Sequence, residues 1–285
     1  MDFGSTLNET HIEKGSCPCT CTCPFTEIKE LFDCSTAKYD KVTLHDFVYK
    51  HYCFPEGWET FLEIEIVKKD IEKISEALEE DAEKYAIEPP MPDVFKAFTV
   101  KPGDIRAIII GQDPTPQAGK ATGLAFSLKS TEDPRDVQSV INMLVELKLE
   151  GIEVSLTNGD LTPWLKEGVF LFNAALTVRQ DDARSHLNLW VEFTRLVVEY
   201  VNMVSKPSAW IFWGTHAQGA ARLIDEKKHY IRKGGHPSPI GGGKSEFFGG
   251  NYFRCANDFL AKNKRGTINW QINDRSSHET DMKPC

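Results

Sequence analysis

Ile108, Ile109 and Ile110 form an apolar run that stops abruptly at Gly111-Gln112-Asp113-Pro114-Thr115-Pro116. An unbroken β-branched run with no polar alternation belongs to a strand covered on both faces, as in a parallel sheet. The glycine and the prolines end it sharply. Asp113 is therefore expected at the C-terminal mouth of a buried strand, and open α/β sheets place their ligand sites at that edge. A carboxylate held there can act as a general base or an electrostatic anchor. It can also simply cap the turn that follows it.

The rest of the chain alternates between two periodicities. Buried extended runs are predicted at Gly123–Leu128, Gly168–Ala174 and Ala209–Gly214, with a short one at His229–Arg232. Helical spacing is predicted over 41–54, with Val42, Leu44, Phe47 and Val48 inward. It recurs over the acidic stretch Trp58–Tyr85, where Phe61, Leu62, Ile66, Ile71, Ile74 and Leu78 form the stripe. Further helices are predicted at 93–98, 134–149, Leu161–Glu167, His186–Met203, Ala217–Asp225 and 251–262. Strands alternating with helices predict one α/β domain: a central four-stranded, mainly parallel, twisted sheet with helices on both faces, three layers in all. That domain is expected over residues 41–272, after a disordered Cys-rich tail at 1–40 and before a flexible tail at 273–285.

Among 285 residues, 41% hydrophobic, no apolar run approaches the ~20 needed to span a bilayer. MDFGSTLNET has neither a basic start nor an apolar core, so no secretory signal is expected and the protein should be intracellular. The net charge of −9 argues against a generic nucleic-acid coat. Its distribution is uneven. Residues 1–100 carry 10 basic and 21 acidic side chains, whereas 201–270 carry 11 basic and 4 acidic. The second region could face phosphates that the first repels, although an ordinary solvated surface gives the same count. Cys17, Cys19, Cys21 and Cys23 alternate, which in an extended chain points neighbouring thiols to opposite faces. A thiol-rich tail in a reducing compartment is the expected reading, rather than a metal site.

Each expected strand runs into a polar or glycine-containing turn: Gly111-Gln112-Asp113, Asn173, Gly214-Thr215-His216, and His236-Pro237-Ser238-Pro239-Ile240. In a parallel sheet these ends lie along one edge. An acid, an amide and an imidazole, with Phe126, can therefore converge. Taken singly, Asn173 could be a turn residue, Phe126 plain core and His236 a capped loop histidine.

Taken together and in order, residues 57–270 resemble the family 1 uracil-DNA glycosylases. The family's loop GQDPYH stands here as Gly111 to Pro116, and its G-L-x-F-S as Gly123 to Ser127. Its L-L-N-A-x-L-T-V is matched by Leu171 to Val178, its W-G-x-x-A-Q by Trp213 to Gln218, and its H-P-S-P-L by His236 to Ile240. Phe247-Phe248-Gly249 and Ile268-Asn269-Trp270 fit the family's tail. The resemblance implies a monofunctional enzyme that flips uracil out of DNA and hydrolyses its N-glycosidic bond. The abasic site left behind would start base-excision repair, with no metal or other cofactor. It implies that Asp113 orients the attacking water and stabilises the cationic sugar. His236, as neutral imidazole, would donate to uracil O2. Asn173 would read N3–H and O4, Phe126 would stack on the base, and the Gln112 backbone N–H would face O2. Gly214, Thr215, Pro237 and Ser238 would contact phosphates, and Ile240 stands where the family carries its wedging leucine.

The chain departs from the family at two loops. Thr115 replaces the tyrosine that excludes the thymine methyl, and Pro116 replaces the histidine. Relaxed exclusion of 5-substituted uracils, thymine included, is expected unless Gln117 or another loop residue fills the space. The phosphate loop reads Ser130-Thr131-Glu132-Asp133-Pro134-Arg135-Asp136, with three acids where DNA should pass and Arg135 to offset them. These departures also fit a different class, a catalytically weak glycosylase-like DNA-binding or replication-accessory protein. The expected partners are uracil-containing DNA, single- or double-stranded, and a repair or replication protein met through the acidic N-terminal region. A monomer is expected, located in the nucleus, or the host nucleus if viral.

Overall fold

Ala107–Gly111, Val169–Asn173 and Ala209–Trp213 are buried at every position, as apolar runs covered on both faces must be. The computed structural model describes residues 39, 41–238 and 246–274. The cysteine cluster at 17–23, Pro239, Ile240, the glycines at 241–243 and residues 275–285 lie outside the described residues.

Six strands are numbered in chain order: β1 Ile87–Glu88, β2 Ala107–Gly111, β3 Val169–Asn173, β4 Val178–Arg179, β5 Ala209–Trp213 and β6 Tyr230–Gly234. Four form a parallel sheet in the order β3-β2-β5-β6. The register sets Ile109 beside both Leu171 and Ile211, and Gly111 beside Asn173. β1 and β4 make a separate two-stranded antiparallel pair. At two residues each, these strands carry no readable periodicity.

Side-chain alternation divides the sheet into two faces. Ile108, Ile110, Phe170, Phe172, Trp210 and Phe212 share one face through the register. It is covered by Trp58, by Phe98 and, through Phe98, by Phe193; the ring of Phe98 lies 5.4 Å from Phe170 and 5.8 Å from Phe172. Ile109, Leu171, Ile211 and Trp213 share the other, where Trp213 meets Tyr252 and Phe253 at 5.5 and 6.1 Å. Burying each such aromatic contributes roughly 1.5–3 kcal/mol.

The main helices are α1 Glu65–Ala82, α2 Gln138–Leu149, α3 Leu187–Val204 and α4 Tyr252–Lys262. Phe193 belongs to α3, and Tyr252 and Phe253 to α4, so helices cover both faces, as expected. α2 and α3 are crossovers, since parallel neighbours cannot be joined by a tight turn.

Three local expectations are corrected. The helix expected over 58–85 breaks after Trp58–Leu62 and restarts at Glu65. The break shifts the phase of the stripe: Val67 takes the inward position and Ile66 is 47% exposed. Gly123–Leu128 is no strand, because Gly123 (φ +75°) and Phe126 (φ +60°) both adopt left-handed backbone and turn the segment. The helix expected at 217–225 begins at Gly214 and tightens to a 3₁₀ turn over Gly219–Leu223.

Candidate active site

The C-terminal ends of the parallel strands open onto a cleft of about 580 Å3. Gln112, Asp113, Thr115, Phe126, Asn173, Gly214, Thr215, His236 and Ser238 all line it. The segments that supply them are spread over more than a hundred residues of sequence, and the sheet edge brings them together.

The turn after β2 is fixed by main-chain bonds. The Gly111 carbonyl accepts from Ala174 N–H at 3.0 Å and the Gln112 carbonyl from Ala175 N–H at 2.9 Å. Asp113 Oδ1 accepts from Gln112 Nε2 at 3.0 Å, and Oδ2 accepts from the backbone N–H of Arg184 at 2.5 Å. The two bonds set the plane of the carboxylate.

Asn173 closes β3 and is 4% exposed. Gly111 lies beside it, and a Cβ there would come within 2.2 Å of the Asn173 side-chain oxygen. The missing side chain is what gives the amide its place. Among the described residues no hydrogen-bond partner reaches that amide, although it is buried and faces the cleft. The amide opens onto the cleft, where a ligand can complete its hydrogen bonds. A primary amide offers one acceptor and one donor side by side.

His236 follows β6 at the rim. Its Nδ1 accepts from the Ser238 N–H at 3.0 Å, which fixes the neutral tautomer with the proton on Nε2. The side chain is exposed at the mouth, yet the protein around the ring pulls its pKa below the ordinary imidazole value by desolvation. Gly214 (φ +81°) allows this approach, since a Cβ there would meet the His236 Cβ at 3.1 Å. Phe126 stands edge-on to Trp213 at 5.2 Å and 6.2 Å from the His236 ring. Its positive φ is strain for a bulky residue, of the sort that collects at functional sites.

Some expected contacts fall elsewhere. Pro237 is buried behind the rim, and its carbonyl accepts from Asn142 Nδ2 at 2.6 Å. Gln117 is exposed and does not line the cleft, whereas Thr115 does. Of the three acids in the 130–136 loop, Glu132 pairs with Lys120 at 2.9 Å and Asp133 is held by Arg135, which removes most of the expected repulsion. The basic set is likewise smaller than its count. Lys228, Arg232, Arg254 and Arg265 donate to main-chain carbonyls and brace the fold.

Two contributors escape a reading of side-chain types. Trp213 reads as core because it ends an apolar strand, yet it lines the cleft. Arg184 contributes its backbone amide, which its residue type does not signal.

The fold and the rim define an α/β enzyme whose cleft is shaped for a flat, hydrogen-bonding ring. Comparison with known proteins narrows this. Residues 98–261 match the uracil DNA glycosylase superfamily. A uracil-DNA glycosylase of Fusobacterium nucleatum is 39% identical over 221 residues, covering 76% of this chain and 96% of that protein. Uracil-DNA glycosylase 1 of Listeria innocua is 37% identical over 221 residues, covering 76% and 98%. The crystal structure of mimivirus uracil-DNA glycosylase superposes with a TM-score of 0.72 at 25% identity, covering 81% of this chain and 90% of that one. The chain belongs to the uracil DNA glycosylase superfamily.

Proposed function

We propose that this protein releases uracil from DNA by hydrolysing the N-glycosidic bond, leaving an abasic site for base-excision repair. The observation that carries the reading is the unpartnered, buried Asn173 amide facing the cleft beside Asp113 and His236.

The chemistry follows from the geometry. A base in a duplex must leave the stack first, at a cost of a few kcal/mol. In the cleft, the Asn173 acceptor meets N3–H of uracil and its donor meets O4; cytosine presents the reverse pattern and leaves both unsatisfied. Bond cleavage makes a cationic sugar and a uracil anion. The Asp113 carboxylate, held by Gln112 and Arg184, stabilises the cation and orients the water that attacks it. The Nε2–H of neutral His236 donates to the developing charge on O2 without transferring its proton. Phe126 and Trp213 supply apolar walls, and Phe126 stacks on the base. Gly214, Thr215 and Ser238 at the rim face the phosphates flanking the flipped nucleotide, and Ile240 wedges into the gap it leaves.

A threonine rather than a tyrosine lining the cleft at position 115, with Gln117 outside it, supports relaxed exclusion at uracil C5. Release of uracil, thymine and 5-hydroxymethyluracil from matched oligonucleotides tests both parts. Uracil release abolished by Asp113→Asn supports the enzyme; no release by the native chain supports the weak accessory reading. Thr115→Tyr should keep uracil release and cut release of the 5-substituted bases about tenfold or more, the scale of a steric clash worth 1–3 kcal/mol. Undetectable release of every 5-substituted base by the native chain refutes the relaxed gate. We further propose that the protein works on genomic DNA in the nucleus, or the host nucleus if viral, as a monomer with a repair or replication partner at its acidic N-terminal region. Imaging and light scattering check these points.

A further inference from the structure

The amide that orients Asp113 belongs to a loop that is itself tied to a buried polar network behind the cleft. His186, 3% exposed, sits two residues after Arg184. Its Nδ1 lies 2.9 Å from Thr177 Oγ1, and its Nε2 lies 2.8 Å from Asp81 Oδ2 at the end of α1. Trp190 Nε1 donates to the same Thr177 oxygen at 2.7 Å. Arg179 donates to both Asp81 oxygens, at 2.6 and 2.9 Å, and its own N–H donates to Ser185 Oγ at 2.8 Å. Both ends of the 177–186 loop are therefore fastened to one carboxylate on another element.

Between those fastenings the backbone is bent. Asp181 and Arg184 both take positive φ, +60° and +68°, without being glycine. Such backbone persists where its surroundings over-determine it. The bend also makes two contacts with the turn after β2: Asp181 N–H donates to the Pro116 carbonyl at 2.9 Å, and Arg184 N–H to Asp113 Oδ2.

We propose that His186, with Asp81 and Thr177, is a positioning residue for the reaction, acting on Asp113 through the Arg184 amide. It touches neither base nor sugar. It holds the donor that sets the carboxylate plane, and with it the place of the attacking water. This inference rests on Asp113 being the group that orients that water.

His186→Ala is expected to lower kcat for uracil release, by up to about 100-fold, with KM for DNA changed less than about twofold. In an Asp113→Asn background the same substitution should cost less than about twofold, because the group it positions is already gone. His186→Gln, which keeps a donor near Nε2, should recover part of kcat. Thr177→Val serves as a second probe if His186→Ala fails to fold. An equal loss in both backgrounds overturns the proposal, as does a rise in KM with kcat intact. A readout independent of activity separates this inference from the proposed function. The Arg184 amide resonance should move upfield in Asp113→Asn and in His186→Ala alike, and an Arg184 resonance indifferent to His186→Ala overturns the inference even if no uracil is released.

Discussion

The two edges of the parallel sheet use polar residues in opposite ways. At the N-terminal edge His229 and Arg106 are committed to other parts of the fold. His229 is 3% exposed; its Nδ1 accepts from Ser208 Oγ at 2.9 Å, and its Nε2 donates to the Asn202 carbonyl at 3.0 Å. Arg106 donates to the Glu167 carbonyl and carboxylate, both at 2.7 Å, and to the Thr267 carbonyl at 3.0 Å. At the C-terminal edge Asn173 is buried and lacks a partner among the described residues, Phe126 is strained, and His236 stands exposed at a cleft. The two histidines make the contrast plain: one completes a fold, and the other waits at an opening. The Asn173 amide opens onto the cleft with no protein partner among the described residues, so it is available to a ligand.

That contrast can be broken by experiment. Asp113→Asn should lower uracil release by about 10²–10⁴-fold, the range for a positioned acid or base, with the melting temperature nearly unchanged. Asn173→Ala should lower release by about 10²–10³-fold, as for a lost transition-state donor. Because the amide makes no hydrogen bond to the described residues, thermal stability should be nearly unchanged; a clear fall in Tm would mean the amide serves the fold. Ser208→Ala at the opposite edge should do the reverse, costing about 1–3 kcal/mol of stability by orphaning His229 while kcat holds.

The smallest effect is on pH. Burial lowers the pKa of His186, His229 and His236 below the ordinary 6.5. Below that value the unfolded chain binds protons that the folded chain refuses. Stability should therefore be full above about pH 6.5 and decline as pH falls toward the lowered folded values. His229→Leu should flatten part of that decline in a urea titration across pH 7 to 5. At pH 6.5 activity should stay above half its neutral-pH level, since desolvation lowers the His236 pKa below that value, and a rate that already halves at 6.5 would contradict the neutral-imidazole role.

Much of this was legible in the sequence because burial on both faces leaves a plain trace. Ile108–Ile110, Leu171–Phe172 and Trp210–Phe212 read as strands, and the polar residue after each run marked the shared rim. Gly123–Leu128 misled because its residues are as apolar as a strand's, and left-handed backbone at Phe126 leaves no mark in composition. Ile66 misled because a two-residue break in a helix rotates everything after it. Arg184 could not be found at all, since what it contributes is common to every residue except proline.

Gly111 carries a consequence for how this chain can change over generations. Every other amino acid bears a β-carbon, so no replacement residue is harmless there: even a methyl group would evict the amide that occupies its place. The heavier cost would fall on the amide at 2.2 Å rather than on Ala125 Cβ at 2.9 Å, so base selection would be lost first. Such a lesion would surface chiefly as a failure of recognition.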